Sequence, residues 1–499
     1  MAQKTSIIDS SSKYFQKVVA GAEYERSGLH QLLWGKDYRK EWTTAVIVPV
    51  LNLDSAYGGL TTITEVSEGQ TKSLQLMDAE GRVYVLRTVN KTYLGALPQI
   101  VQGTFVETLA NDQIATNHPY AALSVPSMSA AAGVYHTNPK YYLVPQSQRL
   151  GRFNETFANT ICLLEERPDE TQIQNPGFGE PNNIVSSERM REKILEKNNH
   201  VLDQNAYLKA RLFDMVIGDW SRHKDNWRWA QFENEGTTTY KPVPKDRDQT
   251  WAKFEGGLLR LIVRIGGFKE LQSFEEEIKN IKWYNYPAHG IDKRFTNALP
   301  LQVWIDTARA LQKYLSDAEI ERAVAQMPPE IFALSGKETI KILKGRRSHL
   351  VDWAREYYYF LAKDVEIPGT DENEIFEVHR VDDFSTVVQV YATNKNGVKK
   401  NKPIFTRNFL HSETKELRLY GIDGNDVFKI DGNANEGIIV RVIGGIGKDS
   451  LIDLSAVGGM SHKTKFYDNP GNKIITSAET KVSLKKDTSI NRYEYEVFK

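Results

Sequence analysis

Ile217 to Trp229 reads IGDWSRHKDNWRW, and Tyr240 to Trp251 reads YKPVPKDRDQTW. The first stretch gathers Asp219, Arg222, His223, Asp225 and Asn226 into one short segment; the second returns Asp246 and Asp248 about one hairpin later. Just upstream, Ala206, Leu208, Leu212, Phe213, Met215 and Val216 form a broad apolar face, so Asp203 to Ile217 is expected to be a helix. Gly218 to Asn226 then reads as a loop, and Trp227 to Phe232 alternates as a strand does. Two acidic or amide clusters joined by strand, turn and strand supply what an oxygen-ligated divalent metal needs. They also supply what phosphoryl transfer needs: a group to position the nucleophile, and carboxylate and amide ligands for magnesium. Asp246 and Asp248 are two apart in a strand-like run, so their side chains are expected on one face, with Arg247 on the other. Asn226, Asp246 and Asp248 are the candidate metal ligands, for Mg or Mn. Asp219 and Asp225 are the candidate catalytic carboxylates. Of the 10 histidines only His223 falls inside the clusters, as an acid–base candidate or, more simply, a brace for the loop. The plain alternative is a salt-bridged turn in which Arg222 and Arg247 neutralise Asp219, Asp225 and the later pair.

Outward from these clusters the pattern changes three times. Residues 1 to 57 read as an irregular strap, with Trp34, Tyr38 and Trp42 as packing residues and Val46 to Leu53 as an edge strand because it contains Pro49. From Gly58 the chain is β: Ser73 to Met77 and Arg82 to Val89 alternate on either side of the turn Asp78-Ala79-Glu80-Gly81. A helix is expected over Thr104 to Thr116, strands at Tyr141 to Val144 and Phe157 to Leu164, and helices at Ser187 to Lys197 and Leu301 to Leu315. Ser316-Asp317-Ala318-Glu319 and Ser335-Gly336-Lys337-Glu338 each match a capping box, the second before a long helix reaching about Ala362. Beyond Pro368-Gly369 the chain reads as β to its end, with Asn396-Gly397 as a hairpin signal. The division is therefore strap (1–57), β-rich part (58–160), helical part with the two clusters (161–365) and a β-sandwich or short β-solenoid (366–499).

The order of these parts resembles atypical kinases of the spore-coat CotH, HipA and phosphoinositide-kinase types. Ile217-Gly218 followed by Ser221-Arg222-His223-Lys224-Asp225-Asn226 is similar to their catalytic loop, Asp-x-His-x-x-Asn. Tyr240 to Asp248 is similar to the CotH-type strand Trp-x-x-x-Pro-x-Asp-x-Asp. The resemblance implies an α+β fold: a two-lobed protein-kinase-like core, with a β-rich N-lobe and helical C-lobe, followed by a C-terminal all-β domain. It also implies ATP with magnesium at the clusters. Glu68 to Thr71, with Gly69, would be the turn over the phosphates, and Arg87 or Lys91 would contact them. Glu107 on the next helix would pair with either, and Leu163 to Glu166, including Glu165, would be the hinge whose backbone receives an adenine. Ser221 stands where those kinases carry the catalytic aspartate, which leaves a degenerate, non-catalytic module as the alternative. A metal-dependent phosphoesterase built on the same carboxylates ranks third, because the several histidines such sites use are missing.

Composition narrows the field. Lys+Arg and Asp+Glu are both 64, so no global field draws nucleic acid or anionic membrane, and no nucleic-acid motif occurs. Hydrophobic residues make up 40% and charged residues 26%, an ordinary globular balance, and no apolar run is long enough to span a membrane. Cys162, the single cysteine, sits among Ile161, Leu163 and Leu164 and reads as a small core residue. Ala2-Gln3-Lys4 resembles a start left after signal cleavage, and the chain resembles soluble modules of Gram-negative envelope proteins. That implies a periplasmic or surface location with an outer-membrane or envelope partner, against a cytoplasmic alternative. Near the end, Gly424-Asn425-Asp426 and Gly444-Gly445-Ile446-Gly447-Lys448-Asp449 resemble calcium-binding nonapeptide repeats. Calcium between stacked turns is one expectation, and plain tight turns are the other.

Overall fold

In the computed structural model the described residues are 6–9, 12–66, 71–92, 105–247 and 249–485. Gly69 and Asp248 lie outside them, as do residues 1–5 and Thr104. The protein is mixed α+β, with several sheets and a helical middle.

The N-terminal part is not an irregular strap. β1 (Ser6–Asp9), β2 (Phe15–Val19) and β3 (Ala45–Pro49) form an antiparallel sheet. β3 is at its edge, as Pro49 requires, because proline cannot donate to a further neighbour. Tyr38 and Trp42 are buried and join the main core.

A second, antiparallel sheet runs β4 (Thr61–Val66), β5 (Ser73–Met77), β6 (Val83–Thr88), β8 (Thr160–Glu166), β7 (Lys140–Val144). Leu74, Leu76, Leu86, Cys162 and Leu164 fill one face of it. Burial pushes the Cys162 thiol pKa up, so it stays a protonated core residue. β8 lies between β6 and β7, and Leu163 and Leu164 pair with both neighbours. The backbone at those two residues is thus spent within the sheet, which corrects the expectation of a free hinge there.

The helical middle surrounds the Gln204–Ile217 helix, capped by the Asp203 carboxylate and packed on the Leu301–Tyr314 and Lys337–Leu361 helices. β9 (Asn183–Ser186), β10 (His200–Leu202), β11 (Trp227–Asn234) and β12 (Thr237–Pro244) make a small sheet ordered β10-β12-β11-β9. Ser316 caps the Asp317–Val324 helix as its motif predicts, accepting from the Glu319 N–H. Ser335 does not cap: it sits in a π-helical turn, Phe332–Gly336, that runs straight into the long helix, and its hydroxyl meets His118 instead. Among the described residues no helix is long and apolar enough to cross a membrane.

From Asp364 onward every described element is a strand. β13 (Asp364–Pro368) and β14 (Glu374–Arg380) begin a winding chain, with β15 (Ser385–Ala392) and β16 (Phe405–Leu410) as an inserted hairpin. The chain continues as β17 (Glu416–Ile422), β18 (Val427–Ala434), β19 (Ile439–Gly445), β20 (Ser450–Asp453), β21 (Ala456–Val457), β22 (Thr464–Asp468), β23 (Lys473–Ile475) and β24 (Thr480–Leu484). Successive strands alternate between two sheets. β13, β17, β19, β22 and β24 are parallel in one; β14, β18, β20 and β23 are parallel in the other. This is a short β-solenoid with its own apolar core, including Ile367, Phe376, Leu417, Phe428, Val440, Leu451 and Phe466.

Candidate functional site

The Gln204–Ile217 helix delivers the first cluster. Its last carbonyls have no helical partner, and Arg346, fully buried on the long helix, donates to the Met215 and Val216 oxygens. Gly218 then turns the chain with φ 77°, and a methyl there would overlap the Phe274 ring. The loop is thus aimed by a guanidinium on one side and a glycine on the other.

The side chains of that loop do not converge on one point. Asp219 is 1% exposed and pairs with Arg222 at 3.1 Å. Arg222 is itself fully buried, donates to the Asn226 and Lys245 carbonyls at 2.8 Å, and stacks on the Trp227 ring. The Asn226 side-chain oxygen accepts from the His223 N–H at 2.9 Å while the His223 ring accepts from the Asp225 N–H, a reciprocal cap on a single turn. Asp225 is 71% exposed and 3.6 Å from His223. Ser221 begins the turn without an acid of its own.

The second cluster departs from the expected strand. β12 stops at Pro244, and Asp246 takes a left-handed backbone, φ 56°, so strand alternation does not apply. Asp246 reaches up to Arg87 on β6 and pairs also with Lys245 at 2.8 Å. Arg247 turns down instead, to Asp214 at 2.9 Å and the Ser129 hydroxyl at 2.8 Å. The arginine neutralisation expected of a salt-bridged turn is therefore real for Asp219, but Arg247 serves Asp214 rather than Asp225.

Arg87 is the junction. It bonds both Glu165 on β8 and Asp246 below. Glu165 also accepts from the Thr137 hydroxyl at 2.6 Å. These groups, with Lys91, Lys245, Arg247, His118 and His136, line a cleft between the five-stranded sheet and the Val125–Ala132 helix. Its volume, counting the part open to solvent, is about 820 Å³. Its charged lining is Arg87, Lys91, Lys245 and Arg247 against Glu165 and Asp246, an excess of positive charge. Burial lowers both imidazole pKa values, that of His118 to about 3, so both rings are neutral near pH 7. Glu107 is half-buried on the Phe105–Asp112 helix and is not part of this lining.

Arg87, Lys91, Glu165 and Asp246 thus come together, whereas Asn226, Asp219, Asp225 and His223 stand apart from them. The residues do not fit a magnesium ion as they stand. Asp246 is engaged by two cations, the Asn226 oxygen is used by a backbone N–H, and among the described residues no three His, Cys, Asp or Glu side chains form a metal-holding group.

What sequence reasoning missed lies beneath the loop. Asp214 and Arg211, on the helix read as apolar, are buried together with Asp292 and Arg222, and the half-buried Arg247 reaches Asp214. Arg211 pairs with Asp214 at 3.1 Å and Asp292 at 2.8 Å, and Asp292 also accepts from the Tyr207 and Tyr357 hydroxyls. The available signal was the i, i+3 pair Arg211–Asp214 inside an otherwise apolar helix.

No protein-family model matches the chain, and no curated protein matches it. Among solved structures it is similar to the Helicobacter pylori proinflammatory kinase CtkA, with 11% identity over 60% of this chain and 95% of that one, TM-score 0.28. It is also similar to a chain of the Shewanella oneidensis MR-1 toxin–antitoxin complex of HipA, HipB and operator DNA, with 12% identity over 59% and 67%, TM-score 0.29. A third is the Rio2 kinase of Chaetomium thermophilum, with 10% identity over 58% and 71%, TM-score 0.23. With TM-scores below 0.3 these likenesses carry no argument, and the functional reading rests on the site.

Proposed function

We propose that this chain is a kinase-like, two-lobed module that binds a phosphate-bearing ligand of nucleotide type and does not transfer its phosphoryl group. The observation that carries the reading is the Arg87 bridge. A guanidinium on the third strand of the sheet is held by Glu165 and Asp246 across a cleft whose charged lining is otherwise cationic. A phosphate can take over the planar fork that Asp246 now occupies, and the released Asp246 would keep Lys245. Arg87 is the phosphate contact, Lys91 the second cation, and Glu165 the residue that holds the guanidinium in place. Lack of transfer is supported by the carboxylates: Asp219 is locked on buried Arg222, Asp225 faces solvent, and Ser221 replaces the base. Magnesium enters only as an ion brought by the ligand, since the ligand set for a resident ion is not gathered.

The test is thermal unfolding of the full chain with ATP, ADP or inorganic triphosphate, each with and without magnesium. A saturable rise in Tm is expected without magnesium, and its loss in Arg87→Ala. No shift at millimolar ligand overturns the reading. Transfer of radiolabelled phosphate to protein or water would restore the phosphotransferase alternative.

A second reading, an interaction module at a cell-envelope or outer-membrane protein, draws on one feature. The Gly28–Trp34 and Gly257–Gly266 helices touch each other and expose Leu29, Leu32, Leu261 and Ile265, with Phe268 beside them. Loss of a purified envelope complex on Leu32→Glu or Ile265→Glu would support it; an unchanged complex would reject it.

A further inference from the structure

The Gly257–Gly266 helix reads GLLRLIVRIG, and its only polar side chains are Arg260 and Arg264, four residues apart. Every other position except its two end glycines is Leu, Ile or Val, more than one buried face can use. The structure leaves some of them outside. Leu261 and Ile265, again four apart and so on one side, are exposed, Ile265 by 77%, and exposed Phe268 follows just beyond the helix. Gly256 sets this helix against its neighbour: a methyl there would fall on the Trp34 and Gly35 backbone and on the Leu33 carbonyl oxygen. The Gly28–Trp34 helix, held in contact in this way, adds Leu29 and Leu32, each 70% exposed, and Leu33. Single exposed leucines are ordinary on a protein surface, whereas this many large apolar side chains on two touching helices make a patch.

The charges in these two stretches are of one sign. Residues 27–36 and 257–269 contain Lys36, Arg260, Arg264 and Lys269 and no aspartate or glutamate. The chain as a whole is balanced, with 64 charges of each sign, so this is a local concentration. Lys36, Arg260 and Lys269 are exposed. Arg260 donates to the Phe254 carbonyl at 3.3 Å, and Lys269 lies over the Trp283 ring at 4.7 Å. Among the described residues none of these three cations has an acidic partner. The acids that flank the stretches are Glu25, Asp37, Glu255 and Glu270. Asp37 is half-buried and accepts from the Glu255 N–H at 3.2 Å, and the Glu255 carboxylate is 3.9 Å from Lys253.

We propose that this face docks on an anionic lipid surface. An amphipathic helix whose polar side chains are arginines and whose other face carries Leu, Ile and Phe lies in the plane of a bilayer interface. Leu29, Leu32, Leu261, Ile265 and Phe268 enter the boundary between headgroups and acyl chains. The arginine and lysine stems lie along that boundary and leave their charges at the lipid phosphates. The one-signed charge argues against a second copy of this chain, which would set cations against cations across a two-fold axis. A protein partner must supply both a hollow shaped to these protruding side chains and acids around it. A lipid surface supplies apolar depth and negative charge together and needs no fixed shape. The face is the one that the second reading gives to an envelope protein; the proposal shares its residues and not its partner.

The experiment is co-sedimentation of the full chain with vesicles of phosphatidylglycerol or of phosphatidylcholine, in low and high salt. Binding to phosphatidylglycerol is expected, weaker in high salt and weaker still on phosphatidylcholine. Ile265→Glu, at an exposed position, should keep its far-UV circular dichroism and lose the binding. A cation at an anionic surface is worth about fivefold in affinity, so Arg260→Ala should weaken binding by about that factor. No sedimentation with phosphatidylglycerol overturns the proposal, as does an Ile265→Glu chain that still binds or a wild-type chain indifferent to lipid charge and salt. Failure with vesicles, together with a purified envelope complex that Ile265→Glu breaks, gives the face to protein: the lipid proposal falls and the second reading stands. If the variant does not fold, the lipid and salt dependence of the wild-type chain decides alone.

Discussion

His118 shows how much one buried side chain can set. Its Nδ1 accepts from the Tyr120 N–H at 3.1 Å and its Nε2 faces the Ser335 hydroxyl at 3.3 Å, which fits the neutral ring. Burial, with Lys253 nearby, lowers its pKa from 6.5 to about 3. The unfolded chain therefore binds the proton more readily between those values. The contribution of His118 to stability is complete above about pH 6.5 and is lost as pH falls towards 3. From pH 7 to pH 5 the loss is about 2 kcal/mol. Urea denaturation at the two pH values should show it, and His118→Gln should flatten the dependence. A second residue-scale prediction concerns Asp292, which meets Arg211, Tyr207 and Tyr357. Asp292→Ala leaves Arg211 buried with Asp214 as its remaining acid, and should cost about 3–5 kcal/mol by chemical denaturation.

At the scale of elements, the junction after the Gln204–Ile217 helix decides where the loop points. Gly218→Ala forces a Cβ into a left-handed position and against Phe274, at an expected cost of about 2–4 kcal/mol. A fully folded variant of unchanged Tm would contradict that account. This element was legible in the sequence: the apolar face gave the helix, and Ile217-Gly218 gave its end. β5, β6 and the Ser316 cap were legible for the same local reasons. Asp246 was not, because alternation assumes extended backbone, and the chain abandons it after Pro244. Ser335 was misread because a capping box assumes that a helix starts there, whereas a π-turn carries an existing one through. Asp214 and Arg211 were not singled out, because the helix that carries them reads by its broad apolar face. Their burial depends on Asp292 and Arg247, which are distant in sequence.

At the scale of the molecule, the core that spans Val18 to Ala362 and the core of the solenoid are separate apolar clusters. What joins them is polar: Arg294 to Glu366 at 3.1 Å, Arg407 to the Asn297 carbonyl at 2.6 Å and to the Tyr358 hydroxyl at 3.0 Å, and the Asp371 N–H to the Leu195 carbonyl at 2.6 Å. Polar junctions between separate cores couple weakly. Calorimetry should therefore resolve two transitions, only one of them raised by nucleotide. A single transition that nucleotide moves as a whole would show one cooperative unit instead.

The sequence by itself determined what depends on neighbours along the chain: the helices, the strand pairs, the glycine turns and the positions of the acids. Pairing of Arg87 with Asp246 and of Arg247 with Asp214 was decided only by the tertiary structure. Those contacts join residues far apart in the sequence, and a charge taken out of water pairs with whichever partner the packing brings within reach.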